Sequence, residues 1–159
     1  MIEIVRNPET RRGYRLTTEQ TIRAPLADVF AFFADALNLQ QITPPWLRFS
    51  VLTEAPIKME PGALIDYQLR LRGVPIRWRT RISQWEPPHR FVDEQLRGPY
   101  RQWLHTHTFR EENGETIVRD QVDYRVPGGP LIHWLVVKRD VRRIFEYRRD
   151  ALERLFHGE

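Results

Sequence analysis

Four ionisable residues have the types and spacing to act together. His105 and His107 are two residues apart, Asp93 precedes them and Asp120 follows. In an extended chain, residues two apart share a face. The segment from Arg101 to Glu111 then places Trp103, His105, His107 and Phe109 on one side. On the same side, Arg90 to Arg97 offers Phe91, Asp93 and Gln95. Glu115 to Val126 offers Val118, Asp120, Val122, Tyr124 and Val126. Asp93, Gln95, His105, His107 and Asp120 therefore interrupt a face whose other members are apolar.

Turn lengths fix how these segments meet. Asn113-Gly114 is the strongest short hairpin signal. A two-residue turn there pairs Glu112 with Glu115, and sets His107 opposite Asp120, His105 opposite Val122 and Trp103 opposite Tyr124. A three-residue loop at Gly98-Pro99-Tyr100 sets Gln95 opposite Trp103 and Asp93 opposite His105. Opposed side chains lie roughly 4.5–5.5 Å apart at Cβ, so each histidine gains a carboxylate neighbour.

Such a group has several uses. Buried polar residues can simply satisfy one another, or they can orient the polar end of a ligand in an apolar pocket. A His–Asp pair can also transfer a proton, with the carboxylate fixing the tautomer. His105, His107, Asp93 and Asp120 are the catalytic candidates on that last reading. The same four could ligate a divalent ion, but two alternate residues on a strand are a weak signal, and no metal or cofactor is expected. His89, His133 and His157 have no evident partner in the sequence. A Gly-rich phosphate loop, a nucleophile elbow and a cysteine motif are all absent.

The elements that must position these residues are legible from periodicity. Tyr14 to Arg23 alternates as a strand, with Leu16, Thr18, Gln20 and Ile22 on one side. Ala24-Pro25 opens a helix carrying Leu26, Val29, Phe30, Phe33 and Leu37 at helical spacing. A short helical turn over Leu37 to Ile42 ends at Thr43-Pro44-Pro45. Strands are predicted over Leu47 to Thr53, Ala63 to Arg72 and Pro75 to Trp85, ahead of the three above. The spacing after Pro127-Gly128-Gly129-Pro130 predicts a long helix to Phe156. Its inner stripe is Trp134, Val137, Val141, Ile144, Phe145, Arg148, Leu152 and Leu155. Residues 1–13 are polar and read as a frayed or loosely paired extension of a single domain over 14–159.

Element order and local motifs together resemble the START-like, or SRPBCC, superfamily with its helix-grip fold, in the bacterial polyketide cyclase/dehydrase-like branch. The local matches are Ala24-Pro25-Leu26-Ala27-Asp28-Val29-Phe30 and the run from Asn38-Leu39 through Ile42-Thr43-Pro44-Pro45-Trp46-Leu47. Gly98-Pro99-Tyr100 before Trp103 and Ile144-Phe145-Glu146-Tyr147-Arg148 complete them. The resemblance implies an α+β fold: a seven-stranded curved antiparallel sheet around a long C-terminal helix, with two short helices after the first strand. It also implies a deep pocket for a hydrophobic small molecule or lipid, on the order of 300–1,000 Å³. Tyr67, Trp78, Phe91, Trp103 and Tyr124 would line that pocket, and Asp93, Gln95, His105, His107 and Asp120 would orient a polar group. An aromatic cyclase/dehydratase-type enzyme and a non-catalytic adaptor are the alternatives.

Composition sets outer bounds. The formal net charge is +4, and 23 of the 25 Lys and Arg residues are arginine, spread along strands and helix. No nucleic-acid motif accompanies them, so nucleic acid is not an expected partner. There is no cysteine, and the first residues lack the apolar core of a signal peptide, so a cytoplasmic location is expected. Trp46 and Trp134 fall where the helix-grip fold places its pocket mouth. They are the candidate points of transient membrane or protein contact, unless both pack into the core.

Overall fold

The computed structural model describes residues 1–158. Eight antiparallel strands form one sheet: β1 (Ile2–Arg6), β2 (Tyr14–Ile22), β3 (Ser50–Val51), β4 (Leu64–Leu71), β5 (Val74–Glu86), β6 (Arg90–Arg97), β7 (Gln102–Glu112) and β8 (Glu115–Arg125). Their spatial order is β1-β2-β8-β7-β6-β5-β4-β3. Helix α1 (Leu26–Ala34) and a 3-10 helix (Ala36–Ile42) follow β2. A short turn of helix, α2 (Gly129–Ile132), leads through a π-helical turn (His133–Val137) into α3 (Lys138–His157). The fold is the expected α+β helix-grip arrangement with one strand more than the seven predicted.

The extra strand is β1, in the segment expected to be frayed or only loosely paired. Ile2 and Ile4 alternate with Glu3 and Val5, and both isoleucines are buried against β2 and α3. The polar residues after them make the turn. Asn7 Oδ1 accepts hydrogen bonds from the Glu9 and Thr10 amides at 3.0 and 2.9 Å, and Asn7 Nδ2 donates to Asp123 Oδ1 at 2.8 Å. Gly13 closes the turn at φ +78°, where a Cβ would stand 2.4 Å from the Tyr124 carbonyl oxygen. Only glycine fits there. The strand predicted over Leu47 to Thr53 shrinks to Ser50–Val51, because Pro45–Leu47 forms a 3-10 turn that uses up its start.

The central ladder follows its turns. Asn113 and Gly114 both have positive φ, and Glu112 pairs with Glu115 as the two-residue turn requires. Arg72-Gly73 makes a second such turn, so Val74 already belongs to β5. Register shifts near Arg79/Thr80 and Ile82/Gln84 bend β5, a common way to curl a sheet. The concave face is closed by α3, which buries Val141, Phe145, Arg148, Ala151 and Leu152.

Two residues expected on the inner stripe of the last helix are exposed: Trp134 and Leu155. The π-helical turn explains the first. Lys138 N–H bonds to His133 O, five residues back, so one residue is looped out and the phase slips. His133 points inward and Trp134 outward. Near the other end, Phe156 turns in against Phe32 in place of Leu155.

Candidate functional site

The site is built on β6, β7 and β8, in the middle of the sheet. Asp93 pairs with His105 and His107 pairs with Asp120 across the ladders, as the turn lengths require. The side-chain hydrogen bonds run diagonally instead. His105 Nε2 donates to Asp120 Oδ1 at 2.9 Å, and His107 Nε2 donates to Asp93 Oδ2 at 2.8 Å. The right-handed twist of the strands brings diagonal neighbours within reach of long side chains. His107 Nδ1 also lies 2.9 Å from Asp120 Oδ1, but at an angle too bent for a hydrogen bond. The two imidazoles sit side by side with centroids 3.8 Å apart, and Phe91 stacks on His107 at 4.2 Å.

A fifth member comes from α3. Arg148 is buried, with its Nε 3.8 Å from Asp120 Oδ2 and without a hydrogen-bond partner among the described residues. Its guanidinium lies over the ring of Phe33, 5.3 Å from the centroid. Sequence reasoning placed Arg148 on the inner stripe without assigning it to the site. The signal was there: an arginine between Phe145 and Leu152 must either leave the stripe or find a buried anion.

Charge is distributed unevenly over this group. Burial would raise the Asp120 pKa, but Arg148, His105 and His107 hold it well below the usual carboxylate value. Asp93 is likewise lowered, burial being outweighed by His107, His105 and Arg148. For His105, burial and its neighbour His107 win, and its pKa falls. For His107, burial is overcome by Asp120 and Asp93, and its pKa rises. Since both carboxylates are ionised, the ring nitrogens must be the donors. His105 is then a neutral imidazole with Nε2–H on Asp120 and a bare Nδ1, 4.0 Å from Asp93 Oδ2.

Beside this group lies a cavity of about 190 Å³, smaller than the range expected. Trp78, Tyr100 and Trp103 pack edge to face or tilted in its wall, with centroids 4.7–5.7 Å apart. The sheet contributes Tyr67, Trp78, Phe91, Asp93, Trp103, His105 and His107 to the wall. The helix contributes Val141, Ile144, Phe145 and Arg148. Tyr100 was not foreseen there, although it belongs to the Gly98-Pro99-Tyr100 motif.

Three of the sequence-derived candidates do not line the cavity. Gln95 clamps its own loop, its Nε2 donating to Tyr100 O at 2.7 Å and its Oε1 accepting from Tyr100 N at 3.2 Å. The β6–β7 ladder stops at Glu94 and Leu104, so Gln95 never comes opposite Trp103. Asp120 lies behind the histidines, toward Thr18 and Arg149. Tyr124 shares a 2.8 Å hydrogen bond with His133 Nε2, beneath the stacked ring of Tyr14. The two tryptophans expected at the pocket mouth are also off the cavity wall. Trp46 is half exposed, against Tyr147 and the Arg143 guanidinium, and Trp134 is 70 % exposed. No helix among the described residues is long and apolar enough to cross a membrane.

Solved structures share this fold. Protein Ms6760 from Mycobacterium smegmatis superposes with a TM-score of 0.71 at 17% identity, over 99% of both chains. Protein CV1439 from Chromobacterium violaceum gives 0.72 at 14% identity, over 91% of this chain and 98% of that one. Ara h 8.0201 gives 0.68 at 15% identity, over 91% and 98%. These likenesses establish the helix-grip fold. No curated protein sequence matches the chain. The family model described as polyketide cyclase / dehydrase and lipid transport matches residues 22–152, and this chain belongs to that family.

Proposed function

We propose that the protein binds a compact, apolar, ring-sized molecule in the cavity between sheet and α3, with a polar end directed at Asp93, His105 and His107. The observation that carries this is a buried, charge-balanced polar group set into the wall of an otherwise aromatic and aliphatic cavity. That is the usual construction of a small-molecule site, in which apolar walls give affinity and a few polar groups give orientation. The volume is compatible: an apolar cavity of about 150 Å³ accepts benzene. Membership of a family that includes lipid transport supports the same reading.

The test is a titration with 2-naphthol and with naphthalene, followed by tryptophan fluorescence and amide chemical shifts. Shifts should cluster on the cavity wall, and 2-naphthol should bind more tightly because its hydroxyl reaches the polar group. Leu69→Trp fills part of the cavity and should abolish binding while the protein remains folded by circular dichroism. If neither probe binds, or Leu69→Trp leaves affinity unchanged, the cavity is not the binding site.

A second reading has its own support. The paired histidines are pushed in opposite directions, which separates a base from an acid. With His105 neutral and His107 charged, the site could take a proton from a bound ligand at His105 Nδ1 and return one from His107, as a cyclase/dehydratase would. Under that reading His105→Gln and His107→Gln each remove turnover of an aromatic polyketide-type substrate without removing its binding. Unchanged turnover in both would leave ligand binding alone.

Delivery would use the start of the last helix. Leu131, Ile132, Trp134 and Leu135 are all exposed there, beside Lys138 and Arg139. Apolar residues flanked by cations suit an anionic bilayer surface. Trp134→Ser should lower co-sedimentation with phosphatidylserine-containing vesicles; equal co-sedimentation would refute contact through this patch.

A further inference from the structure

The geometry points to a site for a divalent first-row transition ion, held by His105 Nδ1, His107 Nε2 and a carboxylate oxygen of Asp93. This goes beyond the binding of an apolar molecule and stands without it. Each of the three residues offers one ligand atom, and these atoms all lie within 4.8 Å of one another. His107 Nε2 is 2.8 Å from Asp93 Oδ2, and His105 Nδ1 is 4.0 Å from the same oxygen. A tetrahedral ion with bonds of about 2.0–2.1 Å needs its ligands about 3.3 Å apart. The two spacings to Asp93 bracket that value and the third is within 4.8 Å, a range that side-chain rotation can close.

The surroundings match what a metal needs behind its ligands. A ligating histidine almost always passes its other ring N–H to a carboxylate or carbonyl, which fixes the tautomer. Here one carboxylate serves both rings. Asp120 Oδ1 accepts from His105 Nε2 at 2.9 Å and lies 2.9 Å from His107 Nδ1. His107 Nδ1 has no well-aligned partner among the described residues, and a small rotation of the ring toward an ion would straighten its contact with Asp120. The nitrogens left over are the ones that face Asp93. Asp120 is in turn held from its far side by Arg148, 3.8 Å away. Two carboxylates against a divalent ion leave the set neutral, with Arg148 as the charge behind it.

The position of the ligands also leaves the ion accessible. Asp93, His105 and His107 are in the cavity wall, whereas Asp120 is behind them. Two histidines and one carboxylate leave at least one coordination position open, and that position faces the cavity. Open sites of this composition hold zinc or non-haem iron in other proteins. The Nε2 lone pair of His107 would take the ion, with the ring's remaining N–H at Nδ1, toward Asp120.

The experiment uses the full chain, free of any histidine tag and treated with chelator, titrated with Co²⁺ alone and with Zn²⁺ alone. One equivalent of Co²⁺ should bind per chain with visible ligand-field absorption of a four- or five-coordinate site, and Zn²⁺ should displace it. His107→Ala and Asp93→Asn should each abolish the absorption. Asp120→Asn should weaken binding by about 10–100-fold, as loss of an outer partner does, and should keep the spectrum. His89→Ala, in a loop away from the site, should change nothing. The wild-type titration decides the matter even if a variant fails to fold. Absence of stoichiometric Co²⁺ and Zn²⁺ binding overturns the proposal. So does binding that survives His107→Ala and Asp93→Asn, or that disappears in His89→Ala.

Discussion

Asp120 meets three protonatable or cationic side chains at once: His105, His107 and Arg148. Replacing it with leucine strands a buried guanidinium and two ring donors. Removing one partner of a buried ion pair costs about 3–5 kcal/mol. Asp120→Asn keeps an acceptor oxygen for His105 and should cost about 1–3 kcal/mol. Urea denaturation of the two variants checks the order, and equal losses would mean that charge does not matter there. His107 gives a pH test. Its folded pKa is raised above 6.5, so the folded state binds its proton more tightly than the unfolded state does. That contribution is fully present below about pH 6.5 and is lost as pH rises through the higher folded value. The stability difference between the wild type and His107→Gln should therefore shrink on going from pH 6 to alkaline pH, measured in chelator. A difference that stays constant, or grows, would show that His107 is not held as the imidazolium.

Among the elements, the β7–β8 hairpin was the most legible. Asn113-Gly114 dictates its own turn, the turn dictates the register, and the register brings His107 level with Asp120. Once twist is added, level residues need not be bonded residues, and alternation carries no information about twist. That is why the ladder pairs were readable and the diagonal hydrogen bonds were not. Strand β1 was hidden for a different reason. Two isoleucines are too short a signal beside the polar run from Arg6 to Arg12, and the turn that joins β1 to β2 is stabilised by Asn7 through long-range contacts. Gly13 makes the dependence measurable. Gly13→Ala combines a left-handed backbone with a Cβ pressed against the Tyr124 carbonyl, whereas Gly114→Ala meets nothing within 4 Å. The second should cost about 1–2 kcal/mol from conformation alone, and the first distinctly more. Matching losses in thermal denaturation would indicate that β1 and its turn are not firmly docked.

At the scale of the whole molecule, the sheet closes on α3 only as far as its edges allow. With β1 in place, β2 is an interior strand, and Ile2 and Ile4 cover Leu16 and Val122 in one apolar cluster. Burying two isoleucines contributes about 1.5–3 kcal/mol each relative to exposure. We therefore expect that deleting residues 1–13 lowers stability by several kcal/mol and leaves β2 as a bare edge prone to association. Analytical ultracentrifugation with a melting curve tests this, and a monomer of unchanged melting temperature would show that residues 1–13 are dispensable to the domain. The cavity belongs to the same scale. Part of its wall was readable strand by strand, since Tyr67, Trp78, Phe91 and Trp103 line it as expected, but the same alternation also offered Gln95 and Tyr124, which lie elsewhere. Its size was not, because volume depends on how Trp78, Tyr100 and Trp103 tilt against one another across three segments.

The looped-out turn at His133–Val137 has the form of a one-residue insertion into an ordinary α-helix. Counting back from Lys138 in a regular helix, the inward slot would fall to Trp134, yet His133 occupies it and bonds Tyr124. Removing one exposed residue, such as Leu135, should therefore shorten the chain without displacing the histidine. The helix would become continuous, His133 would inherit the inward slot by ordinary counting, and its proximity to Tyr124 would persist. Removing Arg149 instead would carry His133 out of reach by about 100° of rotation, or, if the turn closed to absorb the loss, would move Val141, Phe145 and Arg148 off the inner stripe. In an alignment, a relative with an unbroken helix would show a gap here of a single position. The melting temperature of the Leu135 deletion, set beside that of the Arg149 deletion, reads out the difference. Near-wild-type stability in the first and collapse in the second is the expected pattern, and equal collapse would mean that the turn is a strained element rather than a spare residue.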